Sequence, residues 1–194
     1  MRGSFDSIST LVVDDNRQMR LLLREILRGW GIRKVDEAAD GAEALDLMRN
    51  AAYDLLLVDW AMQPLDGIDF TRMLRTSKDS PNPYCTIIMI SGHAVRSRVR
   101  EARDAGVNSF LVKPVSARSL GDHLNAAFRD TRAYVRAPGY TGPDRRRLID
   151  RGYDGPMRRE TDSRQAAGIR QADDWETIDD SAMSSLRRSS GTKR

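Results

Sequence analysis

The chain has 194 residues, of which 40% are apolar, a single cysteine and a formal net charge of +4. That length suits one ordinary domain with an appendage, one cysteine excludes an internal disulfide, and no apolar run approaches the ~18 residues that cross a membrane. Residues 1–130 balance 18 basic against 18 acidic side chains while residues 131–194 carry 14 against 10, so the basic excess belongs to the C-terminal third and gives no support for a nucleic-acid-binding core.

The N-terminus, "MRGSFDSIST", has no apolar centre of the kind a signal peptide needs, and a soluble cytoplasmic protein is expected. "ISTLVV" (8–13) is a short β-branched run, read as a buried strand. Asn16 opens a helix in which Leu22, Ile26 and Trp30 recur on one face and Gly31 marks the end. "KVDEA" (34–38) is a second strand, and "DGAEALDLMRNA" (40–51) a helix capped by Asp40. "YDLLLVDW" (53–60) has an unbroken apolar centre, so both faces of this third strand are expected to be covered. A helix over 66–77, a fourth apolar strand over 85–91, a helix over 94–106 and a fifth strand over 107–112 follow. Cys85 opens the fourth strand as a small core residue, and Ser116 caps a last helix over 116–134, through Tyr134.

The order is strand then helix, five times over. Apolar strands alternating with helices imply a parallel sheet covered on both faces, and right-handed crossovers leave the doubly wound, flavodoxin-like order as the natural one. Such sheets place their sites at the C-terminal ends of the strands. There this sequence carries Asp14 and Asp15, then Asp59, then Ser91, then Lys113–Pro114. Adjacent carboxylates resist desolvation unless a positive charge joins them. A divalent cation and the Lys113 ammonium are the natural candidates.

These positions resemble the receiver domain of two-component response regulators, over residues 6–131. No single motif is decisive, but five positions at the ends of four strands in the right order are specific. The resemblance implies that Asp59 is the phosphoacceptor. It implies that Asp14, Asp15, Asp59 and the backbone carbonyl of Ala61 bind Mg²⁺. Ser91 and Lys113 would contact the phosphoryl group, and Ser91 with Phe110 would form the switch pair. A cis Lys113–Pro114 bond fits the same pattern. The donor would be a phosphohistidine on a histidine kinase or histidine phosphotransfer protein, and the output a phosphorylation-dependent contact with a downstream protein partner. Such a chain is no enzyme beyond its own phosphorylation and slow dephosphorylation. Three features depart from the common pattern: Pro64 falls one position late in "DWAMQPLDG", Phe110 replaces the more usual Tyr, and Ser91 the more usual Thr.

Taken alone, each residue has a plainer role. Asp15 could cap a helix, Asp59 start a turn, Ser91 lie in a loop and Lys113 be a solvated charge; together these require five coincidences. His93 and His123 have no partner at metal-ligand spacing and read as surface residues, although His93 lies near Ser91. Trp60 is expected near the site, and Trp30 at the end of the first helix. A hydrolase built on Ser91 has no G-x-S-x-G and no histidine in a recognisable arrangement.

Residues 132–194 read as a flexible, mostly disordered, Arg-rich tail. Residues 135–194 hold only 16 apolar residues, too few for a helix-turn-helix core, so a DNA-binding output is not expected. "GYTGPDRRR" (139–147) is echoed by "GYDGPMRRE" (152–160). Gly-Pro reads as a turn that exposes an aromatic ring and paired guanidinium groups, suited to partner docking. Trp175, Ile178, Ala182 and Leu186 fit one face of an amphipathic helix over about 163–188. Two rival readings stand beside the phosphoacceptor: a nucleic-acid-binding regulator acting through the basic tail, and a receiver-fold scaffold that is never phosphorylated.

Overall fold

The computed structural model describes residues 5–93, 95–137 and 139–144. Five strands form the central sheet: β1 (Ser9–Val13), β2 (Lys34–Ala38), β3 (Leu55–Asp59), β4 (Thr86–Ser91) and β5 (Ser109–Val112). Five helices connect and follow them: α1 (Arg17–Gly29), α2 (Gly41–Asn50), α3 (Gly67–Thr76), α4 (Arg96–Ala105) and α5 (Ala117–Phe128). The strand order is β2-β1-β3-β4-β5 and every pairing is parallel. The expected doubly wound architecture is therefore present.

The apolar pattern explains the layering. Every residue of β3 is buried, because side chains on both of its faces meet helices. Leu56, Val58, Ile87 and Met89 face a layer built from α2, α3 and α4, including Met48, Phe70, Leu74 and Ala102. Leu55, Leu57, Ile88 and Ile90 face the opposite layer, with Leu23 and Leu27 of α1 and Leu120 and Leu124 of α5. Each such leucine removed from water contributes about 1.5–3 kcal/mol. From β1 the chain winds one way to β2 and the other way to β3. The crevice where the direction reverses opens at the C-terminal strand ends.

The helix starts follow their capping residues. The Asn16 side chain accepts from the amides of Gln18 and Met19, Asp40 from Ala42 and Glu43, and Asp66 from Asp69. Ser116 and Ser119 cap α5 reciprocally. The buried stripe of α1 differs from the expected one. Leu23 and Leu27 are its fully buried members and Ile26 packs against the same layer, while Leu22 is 45% exposed. Trp30 does pack at the end of α1. Its indole N–H donates to the Ala117 carbonyl at 3.3 Å, and its ring lies so close to Gly121 that a Cβ there would stand 2.1 Å from it.

The segment after α5 corrects the tail reading. The helix ends at Phe128, short of the expected 134, and the boundary expected at 131 falls in the connection between α5 and the strand that begins at Tyr134. Strands β6 (Tyr134–Ala137) and β7 (Tyr140–Pro143) pair as an antiparallel hairpin. In the first Gly-Tyr-Thr-Gly-Pro unit, Tyr140–Pro143 thus form a strand whose residues are all buried, and Tyr140 does not expose its ring. Gly139 takes the positive φ of 75° that the turn requires, and Pro143 sits at the strand end, where its lack of an N–H does least harm. The second repeat, the helix expected over 163–188, Arg145, Arg146 and the disorder expected of the remaining tail lie outside the described residues.

Candidate functional site

The C-terminal ends of β1, β3, β4 and β5 bring Asp14, Asp15, Asp59, Ser91 and Lys113 together. Asp14 and Asp59 are buried and Asp15 is exposed. Carboxylate oxygens from the three lie within 4.8 Å of one another, an arrangement that can hold a metal ion. Hard oxygens of this kind suit a small divalent cation. The plainer role for Asp15 is taken by its neighbour: Asn16 caps α1.

Lys113 binds the acids together. Its Nζ lies 2.6 Å from Asp59 Oδ1 and donates to Asp14 Oδ2 at 3.2 Å. Burial works to depress this ammonium, but the Asp59 and Asp14 carboxylates outweigh it and hold the group above the usual lysine value. Burial raises the Asp14 carboxyl. The Asn16 amide, donating to its Oδ1 at 2.8 Å, and the Lys113 charge oppose that rise, while the Asp59 charge adds to it. Asp59 Oδ2 accepts the Ala61 amide at 2.8 Å, which places Ala61 beside the Asp59 carboxylate.

Ser91 is buried at the end of β4, and its Oγ accepts the His93 amide at 3.2 Å. The Lys113 amide donates to the Ser91 carbonyl at 2.8 Å, so the last residues of β4 and β5 are held in register at the site. The Gln63–Pro64 and Lys113–Pro114 bonds are both cis. Phe110 is half-buried on β5, with its ring edge-on to Trp60 at 6.3 Å between centroids. Trp60 lies beside the site, as its place after Asp59 implied. His123 is no free surface residue: its Nδ1 lies 2.7 Å from Ser109 Oγ, and burial lowers its pKa.

Several contributors were not legible from the motifs. Arg20 donates to the Asp14 carbonyl at 2.7 Å and pairs with Glu37, which fixes the turn after β1. Gly67 lies against the Asp59 backbone: a Cβ there would stand 2.1 Å from the Asp59 carbonyl oxygen. Arg98 of α4 lies over Trp60 at 5.2 Å from the ring.

The profile of the response regulator receiver domain family matches residues 10–125. The chain belongs to this family. The receiver is similar to the chemotaxis protein CheY-3 of Vibrio cholerae, at 34% identity over 122 residues, covering 63% of this chain and 92% of that protein. It is also similar to CheY of Pseudomonas aeruginosa, at 35% over 118 residues, covering 61% and 94%. Among solved structures, CheY4 of Vibrio cholerae aligns with a TM-score of 0.57 at 28% identity, over 62% of this chain and 98% of that one. The CheX-CheY-BeF3-Mg²⁺ complex from Borrelia burgdorferi aligns at 0.56 and 27%, over 62% and 89%. The family match ends before the β6–β7 hairpin, which is additional to the receiver. No helix among the described residues is long and apolar enough to cross a membrane.

Proposed function

We propose that this receiver is a phosphoacceptor response regulator of a two-component phosphorelay, taking a phosphoryl group on Asp59 and signalling through phosphorylation-dependent protein contacts. The observation that carries this reading is the gathering of Asp14, Asp15 and the Lys113 ammonium about the Asp59 carboxylate, with Ser91 at the end of the adjoining strand. The relatives named for chemotaxis and the neighbour solved with BeF3 and Mg²⁺ support it.

A phosphohistidine on a histidine kinase or phosphotransfer protein is the donor. An Asp59 oxygen attacks phosphorus, and the P–N bond to the imidazole breaks. The Ala61 amide orients the carboxylate, leaving Oδ1 toward Lys113. Asp14, Asp15, Asp59 and the Ala61 carbonyl would hold Mg²⁺, which would supply positive charge against the phosphoryl oxygens. Lys113 turns from the free carboxylate to the new phosphoryl oxygens, and the Ser91 hydroxyl donates to another. Most of the catalysis is positioning, and the chain turns over no separate substrate.

Ser91 and Phe110 are the switch pair. Burying a half-exposed ring fully is worth about 1 kcal/mol, enough to move a two-state equilibrium several-fold. The downstream partner is a protein, received on the side of α4 and β5 that exposes Val95, Val99 and Val112. The reading places the chain in the cytoplasm with its kinase. Incubation with Mg²⁺ and a labelled small phosphodonor is expected to add one acid-labile phosphoryl group. Asp59→Asn removes it, and Asp15→Ala raises the Mg²⁺ requirement. Equal labelling of Asp59→Asn would overturn the assignment.

A further inference from the structure

The β6–β7 hairpin sits against α3, α4 and the start of β5, at the end of the sheet opposite the carboxylates. Strand β7 crosses the C-terminus of α4 backbone against backbone. Gly106 caps α4 at φ 97°, and a Cβ on it would stand 2.5 Å from the Thr141 carbonyl oxygen. A Cβ on Gly142 would stand 2.8 Å from Gly106 Cα. Two glycines, one from each segment, permit this crossing. Strand β6 adds Tyr134, whose hydroxyl meets the Asn108 side chain at 2.9–3.2 Å and whose ring lies over the Arg75 guanidinium at 5.5 Å.

Arg75 makes the docking releasable. It is only 2% exposed, yet its described hydrogen bonds go to neutral groups: the Gly106 and Pro83 carbonyls, the Asn108 side chain and Cys85. All of these belong to the receiver itself. The hairpin contributes a cover and a π face, while it keeps water from a charge. Lifting the hairpin leaves those bonds in place and rehydrates the guanidinium, which offsets much of the cost of exposing the apolar surfaces beneath it.

The other end of α4 reaches the site. Arg98 lies over Trp60, the residue after Asp59, and the Trp60 ring meets Phe110. The ten residues of α4 are roughly 15 Å long, so one rigid element touches the phosphoacceptor's neighbour at one end and the hairpin at the other. We infer that the hairpin is a releasable strap on α4, docked in the arrangement with a free Asp59 carboxylate and loosened when Asp59 is loaded. This rests on the phosphoacceptor reading. Coupling of this kind is reciprocal, so undocking the hairpin also favours loading of the site.

The test uses the full chain, Mg²⁺ and beryllofluoride as the phosphoryl analogue. Hydrogen exchange of residues 134–143 is expected to accelerate about tenfold when the analogue binds. Gly142→Val, which clashes with the α4 cap and touches no site residue, is expected to open the hairpin without analogue and to tighten analogue binding several-fold. Tyr134→Ser acts in the same direction and serves where Gly142→Val does not fold, with the thermal transition confirming a folded receiver. In an Arg98→Ala background the effect of Gly142→Val on binding is expected to vanish, which a merely structural hairpin would not produce. Unchanged analogue affinity in both hairpin variants, with the parent accepting a phosphoryl group on Asp59, overturns the strap alone. A parent that neither binds the analogue nor accepts phosphoryl overturns the phosphoacceptor reading and the strap with it.

Discussion

Asp14 sits where burial disfavours a charge, with the Lys113 ammonium beside it. Its carboxyl is raised above the ordinary value near 3.8, chiefly by burial. The folded chain therefore holds this proton more tightly than the unfolded chain. The group costs nothing below pH ~4 and imposes its full cost once the pH has risen past the folded value. Asp14→Asn is expected to stabilise the fold at neutral pH by about 1 kcal/mol in urea unfolding, while weakening Mg²⁺ binding and phosphorylation at least tenfold. Tyr53 and Lys113 act at the alkaline end. Burial, then the hydrogen bond to Asp36, pushes Tyr53 up to about 12. The carboxylate partners hold Lys113 above its usual value near 10.5. Both groups keep their protons better when folded, so the stability they contribute is intact below pH ~10; the Tyr53 share is lost as the pH rises toward about 12, and the Lys113 share as the pH rises through its raised value. Tyr53→Phe is expected to cost about 1 kcal/mol near pH 8 and to flatten the decline above pH ~10, measured by urea titration at both ends.

Gly67 ties the start of α3 to the end of β3 by contact of backbone with backbone, and a methyl group has nowhere to go beside the Asp59 carbonyl. Gly67→Ala is expected to lower stability by about 3 kcal/mol and to slow phosphorylation even where the chain still folds, as read from melting and from labelling rate. The parallel strands and their helices were legible because continuous apolar runs and capping residues are local signals. The five site residues were legible because they end those runs. The hairpin was not. Its strands are four residues each, β7 contains Gly-Pro, and they are held by Tyr134 on Arg75 and by Gly142 on Gly106. Those are contacts between segments distant in sequence, which composition does not report. The stripe on α1 went astray for a related reason. Leu22 and Leu23 fit a helical face equally well, and only packing against the sheet selects Leu23.

The described residues join a receiver to an added hairpin, and a functional account has to explain both ends of α4. At one end Arg98 lies over Trp60, the residue after Asp59, and at the other the cap Gly106 lies against Gly142. Everything in that account depends on a single covalent event at Asp59. The measurement that addresses it most directly is peptide mapping after brief incubation with Mg²⁺ and a small phosphodonor, with the acyl phosphate trapped by hydride reduction. The account predicts one modified residue, Asp59, in the parent chain and none in Asp59→Asn. Modification centred on Asp14 or Asp15, or a parent chain left unmodified by both a small phosphodonor and a phosphorylated histidine kinase, would contradict it.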